Sequence, residues 1–237
     1  LYALSTLKLG TAWTFLDEAS LGGLWKRDID NSVYSSVDLM STYNGSTMYG
    51  TYTKQQSSYA IVYDNGDMVF QENDVVDPSI GNMVGIYSDF EYTVYHYHYA
   101  VPWYAQAENI KRVIFKDEIK PISLSYLFGH MVNLEEIVDI DNLDTSIVTE
   151  ANSTFVNCEK ITEIDLSNFN TSNLTSMVEM FENCKSLVSL DLSSFDTSNV
   201  TDMTGTFSDC ESLEEIDLSS FDTSSVICMA SMFDGGK

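Results

Sequence analysis

The sequence predicts an α+β repeat fold. The expected architecture is a solenoid of 26-residue units, each a short strand, a turn and a short helix, behind a mixed, β-containing, aromatic-rich N-terminal region. Three observations lead there. Cys158, Cys184 and Cys210 stand 26 residues apart, as do Asp165, Asp191 and Asp217. The phrase "NFNTSNLTSMVEMFENC" (Asn168–Cys184) returns as "SFDTSNVTDMTGTFSDC" (Ser194–Cys210) and begins again as "SFDTSSVICMASMF" (Ser220–Phe233). Composition also divides the chain. Residues 1–120 hold all three Trp and 13 of the 14 Tyr at a charge of −7, whereas 121–237 hold no Trp and one Tyr at −18.

Each element of the unit follows from its residues. "LVSLDLSSF" (Leu187–Phe195) places Leu187, Leu190, Leu192 and Phe195 in the L-x-x-L-x-L-x-x pattern of leucine-rich repeats, whose period range includes 26. Leu190 and Leu192 alternate with Asp191, as in a half-buried strand. "DTSN" (Asp196–Asn199) reads as a turn, because these side chains bond nearby backbone groups. Val200, Met203, Phe207 and Cys210 then fall three and four apart, the spacing of a short helix or 3₁₀ stretch with one buried face. "SMVE" (Ser176–Glu179) matches a capping box. An earlier, degenerate unit starts at Phe128, with Met131 in the Cys place and one extra residue within Val138–Asp141. One unit cannot bury these side chains against itself, so the copies are expected to stack.

This divides the chain into an unassigned N-terminal segment (1–58), a lead-in and capping region (59–121) and the leucine-rich-repeat solenoid (122–237). "YAIVYDNGDMVF" (Tyr59–Phe70) is expected to be a strand pair turned at Asn65-Gly66. The chain lacks an initiator Met and reads as a fragment, with targeting or anchoring segments and further units expected outside it.

The units resemble the bacterial BspA-like leucine-rich-repeat surface proteins, in the branch of mycoplasma-type lipoprotein repeats. The resemblance rests on "LDLSSFDTSNVTDMTGTFSDC" (Leu190–Cys210), "IDLSNFNTSNLTSMVEMFENC" (Ile164–Cys184) and "IDLSSFDTSSV" (Ile216–Val226), and extends upstream into Val101–Phe128. It implies a secreted or cell-surface bacterial protein engaged in adhesion or host contact, without a shared catalytic site.

Charge narrows the function. With 36 Asp and Glu against 11 Lys and Arg, the net charge of −25 argues against nucleic acid and against anionic lipid as partners. No run of eighteen apolar residues is present, so direct membrane insertion is not expected. Asp165, Asp191 and Asp217 lie between inward-facing aliphatic positions and are expected to form an outward ladder. Such like charges require compensation by local hydrogen bonds, a cation or a basic partner surface. They are the candidate partner-binding residues.

The other constellations point elsewhere. Cys158, Cys184 and Cys210 read as a column of buried free thiols, because a step of 26 matches no zinc spacing. Cys228 lies off that column. Asp144, Asn170, Asp196 and Asp222 read as turn caps. "YTVYHYHYAVPWY" (Tyr92–Tyr104) is the densest aromatic stretch, expected to pack the solenoid end, with His96 and His98 as a weak metal pair. No G-x-S-x-G, H-E-x-x-H or phosphate loop occurs, so neither an enzyme nor a cofactor is expected. The expected partner is a host or matrix protein. The alternative is a spacer or filament subunit joined to its neighbours through residues 1–58. A carbohydrate-binding N-terminal region is a further alternative.

Overall fold

In the computed structural model of the chain, the described residues are 6–9, 24–27, 33–35, 50–54, 58–88, 90 and 101–235. They fall into two compact units, residues 1–57 and 58–237. In the first unit, β1 (Thr6–Leu9), β2 (Leu24–Arg27), β3 (Val33–Ser35) and β4 (Gly50–Lys54) form an antiparallel sheet in the order β1-β4-β2-β3.

The second unit starts with the hairpin of β5 (Tyr59–Tyr63) and β6 (Asp67–Gln71). Its turn needs glycine. Gly66 sits at φ 95°, and a Cβ there would lie 2.9 Å from the carbonyl oxygen of Asn109. The Oδ1 atom of Asn65 accepts the N–H of Asp67 at 3.0 Å, closing the turn. β7 (Met83–Ser88) pairs antiparallel with β5, while β8 (Arg112–Phe115) and β9 (Glu136–Val138) join in parallel, giving a mixed sheet β7-β5-β6-β8-β9. Asp67 on β6 takes two hydrogen bonds from the Arg112 guanidinium on β8, at 3.0 and 2.8 Å. Phe70, Phe90, Trp103 and Phe115 pack ring against ring beneath this sheet, 4.8 to 5.7 Å between centroids.

The predicted α+β class is overturned. The regular structure is mostly mixed β-sheet. Helix among the described residues is of the 3₁₀ kind alone, as in the turns at Tyr104–Asn109 and Ile140–Asn142. Beyond β9 the 26-residue copies contain neither the predicted strand nor the predicted helix. They touch through isolated parallel bridges, Glu150↔Ser176, Ser176↔Asp202 and Asp202↔Cys228. This is not the strand–turn–helix leucine-rich-repeat solenoid that the spacing predicts.

Backbone geometry supplies the reason. Every fourth residue of the would-be helix is left-handed: Ser153 and Asn157, Glu179 and Asn183, Gly205 and Asp209, all at φ between 54° and 62°. A right-handed helix cannot propagate through them. Alternate N–H groups point along the stack instead. Those of Ser153, Phe155 and Asn157 donate to the carbonyls of Val178, Met180 and Glu182, at 2.7 to 2.9 Å. Those of Glu179, Phe181 and Asn183 donate likewise to Thr204, Thr206 and Ser208. A helix would have spent these donors on its own turns and left the copies unlinked. The capping box fails for the same reason. Glu179 sits at φ 56° and accepts the Ser153 hydroxyl at 3.1 Å rather than capping a helix.

The core runs down the copies as columns. Phe128, Phe155, Phe181, Phe207 and Phe233 stack face to face at 4.9, 5.5, 5.7 and 5.6 Å. The thiols of Cys158, Cys184 and Cys210 donate to the carbonyls of Phe128, Phe155 and Phe181 at 3.1 to 3.3 Å. Thr145 and Thr197 each bridge two copies. The Thr145 hydroxyl accepts the N–H of Asn170 and donates to its carbonyl, and Thr197 does the same with Asp222. The extra residue of the first copy is absorbed near Asp139, which sits at φ 54° and opens the 3₁₀ turn Ile140–Asn142.

Candidate binding surface

Outward from the aliphatic column, the segments that follow β9 expose every second side chain. Ile164, Leu190 and Leu192 are buried while Asp165 and Asp191 are exposed. Glu136 and Glu163 stand two residues before the Val138 and Asp165 places, so they share the outer face. The result is a shallow, open groove of about 520 Å3 across three successive copies. Glu135, Glu136, Glu163, Asp165 and Asp191 line it with Ser189, and Ile137, Ile140 and Ile164 form its apolar floor. No basic side chain lines it. Two cations stand at its rim: Lys160, whose Nζ lies 3.9 Å from Glu135, and Arg112, the cross-strand partner of Glu136.

Asp165 and Asp191 enter this groove together, and Asp217 stands one copy further along the same column. The column is held at its base by local bonds. Each carboxylate accepts the N–H of the serine two residues on: Ser167 at 3.0 Å, Ser193 at 2.9 Å and Ser219 at 2.8 Å. Backbone and side-chain hydrogen bonds from Ser167 hold Asp165 below the usual carboxylate range, and those from Ser193 do the same for Asp191. The side chain and N–H of Ser219 lower Asp217. Repulsion along the column works the other way, from Asp191 on Asp165 and from Asp217 on Asp191, and is weaker than the serine bonds. The ladder therefore stays ionised at neutral pH. One carboxylate oxygen of each aspartate faces its serine and the rest of the group faces solvent.

The turn column is spent on structure. Asp144, Asn170, Asp196 and Asp222 accept the N–H groups of Ser146, Ser172, Ser198 and Ser224 at 2.8 to 3.1 Å. Asp144 also pairs with Lys120. Among the described residues, no three His, Cys, Asp or Glu side chains converge as metal ligands. His130 packs edge-on against Tyr104 and meets Asn157 at 3.2 Å. His96, His98 and most of the Tyr92–Tyr104 stretch lie outside the described residues, as do the side chains of 1–57, in the segment on which the filament reading rests. Among the described residues, no helix is long and apolar enough to cross a membrane.

The glutamates are what sequence reasoning missed. Glu135, Glu136 and Glu163 are not among the candidate partner-binding residues read from the sequence. The signal was present: Glu136, Glu163 and Glu215 recur two residues before the aspartate column, and a two-residue step returns to the same face.

Residues 122–237 match the model of a family described as "Mycoplasma protein of unknown function, DUF285". The repeated part of the chain is therefore similar to a mycoplasma family. No curated protein and no solved structure is similar to the chain.

Proposed function

We propose that this chain is part of an extracellular bacterial surface protein of the BspA-like kind, and that its stacked copies form a protein-binding module. The acidic groove takes a basic segment of a host or matrix protein, with Asp165, Asp191 and Asp217 as recurring contact points. One observation supports this above the others. Five carboxylates from three successive copies line one open groove with no cation among them. A row in which the carboxylates outnumber the rim cations Lys160 and Arg112 is a standing potential that a Lys- or Arg-bearing segment relieves. The localisation follows from the likeness of the repeats to surface proteins. The reading is of binding, since stacked copies present an extended, repetitive face suited to contact.

A Lys/Arg-rich peptide tests it. Binding is expected to weaken as salt rises. Exposed ion pairs are worth about 0.2–1 kcal/mol, so the triple variant Glu163→Gln, Asp165→Asn, Asp191→Asn is expected to lose roughly tenfold in affinity. A charge-matched control outside the groove lining, Asp74→Asn with Asp77→Asn and Glu118→Gln, is expected to retain binding. Equal losses in both variants would mean that the groove plays no part.

A further inference from the structure

A second groove shares no lining residue with the acidic one. It lies between the β5–β6 turn, the start of β7 and the 3₁₀ turn Tyr104–Asn109. Its volume of about 520 Å3 falls within the roughly 300–1,000 Å3 of small-molecule sites.

Its two walls are used differently. On the side of the β5–β6 turn the polar groups are spent on structure. The two Asp64 oxygens accept from Asn82, at 3.0 and 2.7 Å, and the Asn65 amide donates to Asp67 and to the carbonyl of Ile80. On the 3₁₀ side the polar groups are held in place but not used up. The Oε1 atom of Gln106 accepts the Tyr87 hydroxyl at 2.6 Å, which leaves the Gln106 NH2 group without an acceptor among the described residues. The Nδ2 atom of Asn133 donates to the Glu108 carbonyl at 2.7 Å, which leaves the Asn133 Oδ1 atom open.

Two charges complete the lining. Cations are scarce in a chain with 36 Asp and Glu for 11 Lys and Arg, and Arg112, Lys120, Lys160 and Lys185 each pair with a carboxylate. Lys111 lines the groove with Glu108, yet neither has an ion-pair partner among the described residues. The Lys111 stem rests on the turn, its Cγ 3.1 Å from where a Cβ of Gly66 would stand. The groove therefore offers one neutral and one charged donor, Gln106 and Lys111, and one neutral and one charged acceptor, Asn133 and Glu108. Val62 and Val84, the latter 50% exposed, add an apolar wall.

We propose that this groove binds a small zwitterion, an α-amino acid with an aliphatic side chain or a short peptide carrying the same two end groups. The ligand carboxylate accepts from Lys111 and Gln106. The ligand ammonium donates to Glu108 and Asn133. The aliphatic side chain lies against Val62 and Val84. A sugar would satisfy the two amides but has no use for unpaired charges of opposite sign. Tyr63, the aromatic residue in the lining among the described residues, is 1% exposed and offers a sugar no face to stack on.

L-Leucine and the dipeptide Leu-Leu are the probes, titrated into the intact chain while the side-chain amide signals of Gln106 and Asn133 are followed by NMR. At least one probe is expected to shift both signals and to saturate, and which one does so separates the free amino acid from the peptide. N-Acetyl-leucine lacks the ammonium and leucinamide lacks the carboxylate. Each is expected to bind at least about tenfold more weakly than leucine, or than Leu-Leu if the peptide is the ligand. Lys111→Met keeps the stem on the turn, and Glu108→Gln keeps the carbonyl that holds Asn133. Both variants are expected to weaken binding by a similar factor, with the backbone amide signals of Phe70 and Phe115 unmoved to show that they fold. The proposal is overturned if neither probe gives a saturable shift, if the blocked derivatives bind as well as the parent, or if glucose saturates the same signals equally well.

Discussion

Cys158 and Cys184 are fully buried, and desolvation pushes both thiols well above their ordinary range. Burial likewise raises Cys210, to about 11. Since the thiolate is the reactive species, these three are expected to stay silent toward a disulfide reagent at pH 8 in the native chain. Cys228, only partly buried, is expected to react. One thiol counted before unfolding and four after is the expected outcome. Asp144 makes a second residue-scale test. Partial burial is the largest single influence and raises its pKa, but hydrogen bonds from Lys120 and Ser146 together outweigh it and hold the carboxyl at about 2. A depressed carboxyl stabilises the fold above its unfolded value of 3.8 and loses that contribution as pH falls toward 2. Lys120→Met is expected to raise the Asp144 titration midpoint, followed by carboxyl carbon shifts in NMR, and to remove part of that acid dependence. An unmoved midpoint would mean that Lys120 does not hold the carboxylate.

At the scale of the element, the copy is a run of turns rather than a helix, and its left-handed positions are the decisive feature. Ser153, Glu179 and Ser231 hold the place that Gly205 holds in the third copy. A non-glycine residue there costs about 1–2 kcal/mol, which the inter-copy hydrogen bonds offset at roughly 0.5–1.5 kcal/mol each. Gly205→Ala is therefore expected to destabilise by about 1 kcal/mol without unfolding the chain. Its Cβ would meet flexible side-chain atoms, the Cγ of Glu179 at 3.3 Å and the Oε2 of Glu182 at 4.0 Å. Equilibrium denaturation checks the value. A loss above about 4 kcal/mol would mean that the position tolerates no side chain, contrary to its counterparts.

This element explains how much the sequence discloses. The 26-residue step of the Cys and Phe residues correctly places them in columns, because side chains that recur at one period must meet when copies stack. The conformation between them was not legible. Val200, Met203, Phe207 and Cys210 fall three and four apart both on a helix and on consecutive turns. Four of the six residues that break the helix, Asn157, Asn183, Gly205 and Asp209, are types that enter the left-handed region readily, but the same types serve equally in caps and turns, and Ser153 and Glu179 give no such signal. The N–H groups that decide the matter find their partners 25 residues away, beyond the reach of any local pattern. For the groove, the aspartate column was legible from its period. The glutamates were passed over because two adjacent acids look alike until the alternation of faces is imposed on them.

For the whole molecule, the stacking of copies gives the acidic face its meaning. A net charge of −25 spread over a random surface would select nothing. Aligned copies turn it into rows with a fixed spacing and an aliphatic floor, the property on which the proposed binding depends. The alignment itself is therefore what must be measured. Ring-selective labelling of phenylalanine allows contacts between aromatic protons to be read by NMR. The account predicts cross-peaks between Phe155 and Phe181 and between Phe181 and Phe207, whose centroids lie 5.5 and 5.7 Å apart, with none from Phe155 to Phe207. Absence of the two neighbouring cross-peaks in the folded chain would contradict it.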